Sequence, residues 1–415
     1  LLGQGVSYPE RPAHDPIVQM WSLEVERELP GNFAINIGYV GNHGTHLFGE
    51  AYRQNNYFHT EDRLRYRTAL SAQIPITDVY SGQTAAKLQE VFGSSTLSRG
   101  QLLSTFPFYP GGVSSKMYDG QSIYHGLNLR VQKRYSHGLD FIAAYTWSKK
   151  ITNASITNLA GFLVNPVAYA RNGYIGGRAG AVGLGNGGDY QDPDHRNERA
   201  IAFDDIPHMF NLKATYEFPW GKGKPFLNRG GALNAILGGW KLSGNFNTTS
   251  GVPLNISCPG NALTSRCNLI GDPKFSGDRT KAERIQQWIN PAGFEPPFGS
   301  DESYWNNPDP NDDRNWRFGT AGARLSSVRS PGFWNLDTAL AKQVRIRENV
   351  GFELRWDVYN ALNHMNLGVP NTYFCLPPGP DGSQNSVRYA GCSFGLISDI
   401  QNDPRRMQFG LKFYW

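Results

Sequence analysis

Apolar side chains recur at every second position through much of this chain, the two-residue period of a strand whose faces meet different surroundings. The last segment shows it plainly. Met407, Phe409, Leu411, Phe413 and Trp415 alternate with Arg406, Gln408, Gly410 and Lys412, and only Tyr414 is ambiguous. Ile17, Gln19, Trp21, Leu23 and Val25 alternate with Val18, Met20, Ser22, Glu24 and Glu26, a run clean from Trp21 onward. After Leu29-Pro30-Gly31, the set Phe33, Ile35, Ile37 and Tyr39 is interleaved with Asn32, Ala34, Asn36 and Gly38. Ile123–Val131 and Leu139–Trp147 repeat the pattern across the short link Tyr135-Ser136-His137-Gly138, a hairpin signal. Further strands are predicted around Phe210–Phe218, Trp240–Thr248, Trp334–Leu340 and Phe352–Val358. The total is nine strands of about ten residues, the length that crosses a bilayer at a tilt.

The interleaved face carries Glu24, Glu26, Arg130, Lys213, Glu217, Lys241, Glu353, Arg355 and Asp357. In a large barrel such a face lines a wet lumen. Aromatics gather at the strand ends (Trp21, Tyr39, Trp147, Phe218, Trp240, Trp334, Tyr359, Trp415), as in interfacial girdles. The connections alternate in length. Leu29–Asn32, Tyr135–Gly138 and Arg347–Asn349 are tight and Pro219–Gly239 is moderate, whereas Gly41–Gly120, Lys149–Pro207, Gly251–Pro331 and Leu362–Pro404 are long. Long loops at one end facing short turns at the other characterise outer-membrane barrels. The expected fold is therefore all-β, an antiparallel transmembrane β-barrel in a bacterial outer membrane, with extracellular loops and a periplasmic C-terminus. Counting back from that terminus places residue 1 outside. Single-chain bacterial barrels have even strand numbers, so nine strands suggest the C-terminal portion of a larger barrel. A tenth strand within Leu102–Val113, or elsewhere in the long first loop, is the alternative.

Composition supports this reading by exclusion. Among 415 residues, charged side chains are 18%, aromatics 13%, and glycines number 47. No apolar run approaches the ~18 residues of a membrane helix, and the aromatic content excludes a disordered or coiled-coil chain. The formal net charge of +5 is too small to argue for nucleic acid. The start, Leu1-Leu2-Gly3-Gln4-Gly5, has no initiator Met, basic region or apolar core of a signal peptide. The whole of 1–415 reads as part of one barrel domain, with no plug or soluble domain recognised.

Several stretches carry a family resemblance. They are Trp21–Leu29 with Gly38–Gly44, Gly239-Trp240-Lys241-Leu242-Ser243-Gly244, Phe352–Asn363, and the last strand. Together they resemble the C-terminal barrel of TonB-dependent receptors, particularly the Oar-like group that often carries a carboxypeptidase-regulatory-like domain. The resemblance implies a barrel of about 22 strands, a plug inside it, and a segment contacting the TonB energy-transducing complex. It also implies recognition of the final strand, with Phe413 and Trp415 as its aromatic signal, by the barrel-assembly machinery. The implied function is import of a bulky solute, energised from the inner membrane, with lipid around the barrel and no enzymatic step or cofactor.

Four cysteines form two close pairs, Cys258/Cys267 and Cys375/Cys392, both in predicted outer loops. An even count in an oxidising compartment favours disulfides, and pairing within each loop is the simplest of three connectivities. No His accompanies either pair at metal-ligand spacing. Gly183-Leu184-Gly185-Asn186-Gly187-Gly188 imitates a dinucleotide fingerprint but is followed by Asp189-Tyr190-Gln191-Asp192-Pro193, which is loop chemistry. His43 and His46 suit spare imidazoles of a loop after a strand better than metal ligands. Asp309, Asp312 and Asp313 offer oxygen ligands for Ca²⁺ but lack a regular spacing. Asp204-Asp205 carries no specific signal. Asp278–Ile289 reads as a loop helix packed against the rim. Tyr304, Trp305, Trp316, Tyr373 and Phe374 are the candidates for first contact with a solute, since aromatic, Asn-rich loops suit carbohydrate, siderophore or peptide. The rival readings are a plug-free porin or adhesin-like outer-membrane protein, and after these a secreted β-rich hydrolase.

Overall fold

The computed structural model describes residues 2–9, 15–47, 53–54, 60–116, 118, 120–153, 199–261, 266–306, 309–322, 324–347 and 350–415. Nine long strands form one antiparallel sheet: β1 (Ile17–Leu29), β2 (Phe33–Leu47), β3 (Gly120–Ser136), β4 (Leu139–Thr152), β5 (His208–Glu217), β6 (Trp240–Thr249), β7 (Phe333–Arg347), β8 (Val350–Tyr359) and β9 (Arg406–Tyr414). Each pairs with its neighbours in sequence, so the sheet is a continuous meander from β1 to β9. The two-residue ribbon Ala200–Ile201 adds to the end of β4. Among the described residues β1 and β9 each have one pairing edge unused. No helix of the described residues is long and apolar enough to cross a membrane.

Register decides which side chains share a face. One row runs Val25, Ile37, Leu129, Tyr145, Phe210, Thr248, Trp334 across seven strands. Another runs Tyr216, Leu242, Leu340, Trp356, Phe409 to the far edge. The alternate rows are polar, for example Glu26, Asn36, Arg130, Ala144, Asn211, Asn247, Asn335. The sorting by period two thus persists across the body of the sheet, and the register shifts only near strand ends, between Gly44 and Leu47, Lys133 and Ser136, and Arg345 and Arg347. The apolar face is also uncovered. Phe409 is 76% exposed, Ile37 49%, Leu354 44% and Trp356 38%. Transferring such a side chain out of water is worth roughly 1.5–3 kcal/mol, so a continuous wall of them marks a surface that faces lipid. A soluble sandwich would have laid a second sheet or helices over the Phe352/Leu354/Trp356 side.

The predicted alternation of connections holds at the described ends. Pro30–Asn32 and His137–Gly138 turn tightly at one rim, where Asn32, Gly31, His137 and Gly138 take positive φ. The long connections all leave the opposite rim. Leu102–Val113 does not supply a tenth spanning strand. Arg99–Leu103 is a short helix, and Val113–Lys116 pairs in parallel with Val6–Pro9 in a small loop sheet. The N-terminal stretch therefore sits at the long-loop rim.

Two of the long loops fold together, which the alternation pattern does not foretell. Leu254, Ile256, Phe294, Phe298 and Val328 from the β6–β7 connection pack with Phe374, Val387 and Phe394 from the β8–β9 connection into one buried core. Short ribbons (Pro253–Leu254 with Leu325–Arg329, Asn268–Leu269 with Phe294–Glu295) brace it. We call this body the cap. A smaller core, Ile76, Ala85, Leu88 and Leu102, organises the β2–β3 loop around the helix Gly82–Phe92.

Candidate functional site

The polar face offers a ladder of hydrogen-bonding groups rather than a single charged cluster. Asn36 Nδ2 donates to Glu24 Oε1 at 2.5 Å, Arg355 Nε pairs with Asp357 Oδ1 at 2.8 Å, and Gln343 Nε2 donates to Glu353 Oε2 at 2.9 Å. Acids and bases are interspersed, so the wall carries many donors and acceptors and little net field of one sign. Such a surface suits a hydrated path for a polar solute.

The cap stands where the long loops converge, and each loop carries its own disulfide. Cys258 bonds Cys267 across nine residues and Cys375 bonds Cys392 across seventeen. Three of the four sulfur-bearing residues are buried in the cap core. A crosslink limits the unfolded excursions of the loop it closes, so each loop presents a fixed surface.

Of the aromatics singled out from sequence, Tyr304, Trp305 and Phe374 are buried in the cap core. Trp305 Nε1 donates to Gly299 O at 3.0 Å, and the Phe374 and Phe394 rings meet edge to face at 5.3 Å. These three pack inside the cap: rings this large supply much of the buried area a small loop body needs. Tyr373 and Trp316 remain at the surface. Tyr373 is exposed, and its backbone N–H is fixed by Asn371 Oδ1 at 2.9 Å. Trp316 is half-buried with its indole N–H on Pro310 O at 2.8 Å.

The acidic run is consumed by arginines. Arg314 forks onto Asp312, with Nη2 to Oδ2 at 2.7 Å, and reaches Asp301 Oδ2 at 2.6 Å. Its guanidinium lies 4.2 Å from the Tyr304 ring centroid. The Arg314 hydrogen bonds pull the Asp312 carboxyl down to about 2, and the Ser303 hydroxyl, with Arg314 second, holds Asp301 low. Asp313 pairs with Arg67 of the β2–β3 loop, and Arg67 Nη1 also donates to Asn311 O at 2.8 Å. This clasp joins the cap to a loop four strands away. Asp309 accepts from the Asn311 backbone N–H at 2.8 Å. His43 and His46 lie within β2 rather than in a loop beyond it, because that strand continues to Leu47. Among the described residues no three His, Cys, Asp or Glu side chains gather at metal-binding distance.

Asp204-Asp205, silent in sequence, anchors the cap to the sheet. Asp205 is 1% exposed at its side chain; Oδ2 pairs with Arg329 Nη2 at 2.7 Å and Oδ1 accepts the Lys150 backbone N–H at 2.6 Å. Arg329 also donates to Gly251 O at 3.1 Å, and its own carbonyl accepts the Trp288 indole at 2.7 Å. Asp204 Oδ2 pairs with Lys150 Nζ at 2.7 Å. The buried Asp205 carboxylate thus has both oxygens engaged, as such a group requires, and its partners come from β4 and from the cap's outgoing ribbon. The helix expected near 278–289 spans Lys281–Gln286 with a Thr280/Glu283 capping box. It is fastened to the cap, through Ile289 in the core, more than to the rim. The glycine run 183–188 lies outside the described residues.

Comparisons with known proteins bear on the whole chain. The family described as "Outer membrane beta barrel domain" has a model that matches residues 1–408. No curated protein matches the sequence. Among solved structures, the outer membrane transporter YddB from Escherichia coli matches at 9% identity and a TM-score of 0.37, over 100% of this chain and 34% of its own. BauA, the ferric preacinetobactin receptor from Acinetobacter baumannii, matches at 9% and 0.35, over 96% and 29%. The ferripyoverdine receptor of Pseudomonas aeruginosa matches at 9% and 0.35, over 96% and 27%. The chain spans about a third of the length of these structures or less.

Proposed function

The chain belongs to the outer membrane beta barrel domain family, and from that premise we propose that it is the barrel part of a TonB-dependent receptor of the Oar-like group, importing a bulky solute by energised transport. The observation that carries this reading is the disulfide-braced cap, built from two loops and clasped by a third, at one rim of a sheet with one largely polar face. A pore for small solutes needs no folded body at its mouth. A receptor that must hold a scarce ligand before moving it needs a fixed surface there. On this reading the long-loop rim is extracellular and β9 ends in the periplasm, where Phe413 and Trp415 serve assembly. Tyr373 and Trp316 remain the aromatic contacts for the incoming solute. All of 1–415 is one barrel domain, and the plug and the segment that meets TonB belong to other sequence. Energy then comes from the inner membrane and no residue here acts as a catalyst.

Planar-bilayer conductance of the protein encoded by the complete reading frame tests this reading. A plugged receptor stays nearly silent and opens into large, steady steps only when urea unfolds the plug. Open-channel conductance without urea would establish a porin instead.

A further inference from the structure

At the short-turn rim, the link between β5 and β6 runs from Phe218 to Gly239, far longer than the two- or three-residue turns beside it. It is tied to the outer, apolar face of the sheet through Trp240 and Lys342, while Lys224 holds its start to Glu217 on the polar face. Trp240 and Lys342 are cross-strand neighbours in the outward row that continues through Leu354 and Leu411. Lys342 Nζ donates to the carbonyls of Ile236 at 2.9 Å and Gly238 at 2.7 Å, closing the C-terminal end of the helix Ala232–Leu237. The Trp240 indole donates to the same Ile236 carbonyl at 3.0 Å, and the Lys342 ammonium lies 4.8 Å from the Trp240 ring centroid. On the other side of the helix, Asn234 Oδ1 accepts the Lys222 backbone N–H at 2.7 Å, folding the link onto itself.

So fastened, the link stacks Phe218 on Trp220 at 4.7 Å but leaves other large apolar side chains uncovered. Leu233, Ile236 and Leu237 fall at i, i+3 and i+4, on one face of the helix; all three are exposed, Ile236 at 64%, and Phe226 nearby is 63% exposed. Residues 218–239 hold Lys222, Lys224 and Arg229 and no acidic side chain. Lys224 is paired to Glu217 at 2.9 Å, while Lys222 and Arg229 are exposed. Apolar groups beside an uncovered lipid-facing wall, with cations among them, match an interfacial anchor.

We propose that residues 219–239 lie in the headgroup region of the leaflet at the short-turn rim, with Phe226, Leu233 and Ile236 in the acyl boundary and Lys222 and Arg229 on anionic phospholipid. The occupant of this surface is lipid because the patch continues the sheet's own lipid-facing side. The inference rests on the sheet spanning a bilayer and does not depend on which leaflet the short-turn rim meets.

The test uses the full chain folded into vesicles of phosphatidylethanolamine and phosphatidylglycerol, with a nitroxide at Ile236→Cys or, as reference, at Leu354→Cys. Collision with oxygen is compared with collision with a water-soluble nickel chelate. Oxygen should dominate severalfold at both positions. A lipid signal at 354 with an aqueous one at 236 overturns the anchor alone, whereas aqueous signals at both overturn the membrane placement of the sheet and the anchor with it. K222E/R229E should move the label at 236 toward water in these vesicles and leave it unmoved in pure phosphatidylcholine. An identical response in the two lipids removes the anionic-headgroup contact.

Discussion

Leu129 and Asn128 are consecutive on β3 and face opposite sides, which makes them a controlled pair for asking what surrounds the sheet. Leu129 stands between Ile37 and Tyr145 in the outward row. It lies four residues from both Lys133 and His125, about 14 Å along the strand in each direction, and so near the middle of an apolar band about 25 Å tall. Leu129→Arg places a guanidinium there, at a cost of roughly 2–4 kcal/mol if lipid is outside. Asn128→Arg faces the polar side and loses the hydrogen bond from Thr146 Oγ1 at 2.8 Å, worth about 1 kcal/mol. The pair should therefore differ by about 1–3 kcal/mol, roughly 5- to 150-fold in the folding constant. Reversible folding into phospholipid vesicles, followed by heat-modifiable migration across a guanidinium series, measures both. If Leu129→Arg is neutral, or no worse than Asn128→Arg, the outward face meets water and the lipid assignment is wrong.

Three further outcomes are expected. Cys258→Ser and Cys375→Ser should each loosen the cap, by about 2.7 and about 3.2 kcal/mol on the chain-entropy estimate for loops of about 10 and 18 residues; thermolysin should then cut within 250–332 or 360–405 while migration of the barrel is unchanged. Asp312 titrates below its ordinary 3.8, at about 2, so its pairing with Arg314 is complete above pH 3.8 and is lost as pH falls from there through 2; hydrogen exchange in 301–317, corrected for intrinsic rates, should show this loss, and Asp312→Asn should abolish it. Removing Trp415, 93% exposed, should leave the stability of refolded protein nearly unaltered yet lower the fraction assembled in cells, and equal assembly would deny the residue a signalling role.

The sheet was readable because a bilayer or a lumen imposes a rule at every second residue, and nine segments obey it visibly. The strand Phe33–Tyr39 needed nothing but its own alternation. The cap was not readable, since its core gathers residues more than a hundred positions apart, such as Leu254 and Phe374, and no local period encodes their meeting. Aromatic content alone cannot say whether a loop ring points outward or inward, so Tyr304, Trp305 and Phe374 looked the same in sequence as Tyr373. Asp205 gave no signal because its partners, Arg329 and the Lys150 amide, are distant in sequence. The cysteine spacing was more informative, because two separate loops each carrying a closely spaced pair leave a simple local solution.

A cap that draws most of its interior from one hairpin and completes it from another has a consequence for biogenesis. Neither loop can bury Phe294, Phe374 and Phe394 by itself, so the body closes only once β6–β7 and β8–β9 stand side by side. Closure must then be a late event, following insertion. The bonds Cys258–Cys267 and Cys375–Cys392, each confined to a single loop, impose no such wait: oxidation can finish while the hairpins are still apart, leaving two prestiffened halves to dock.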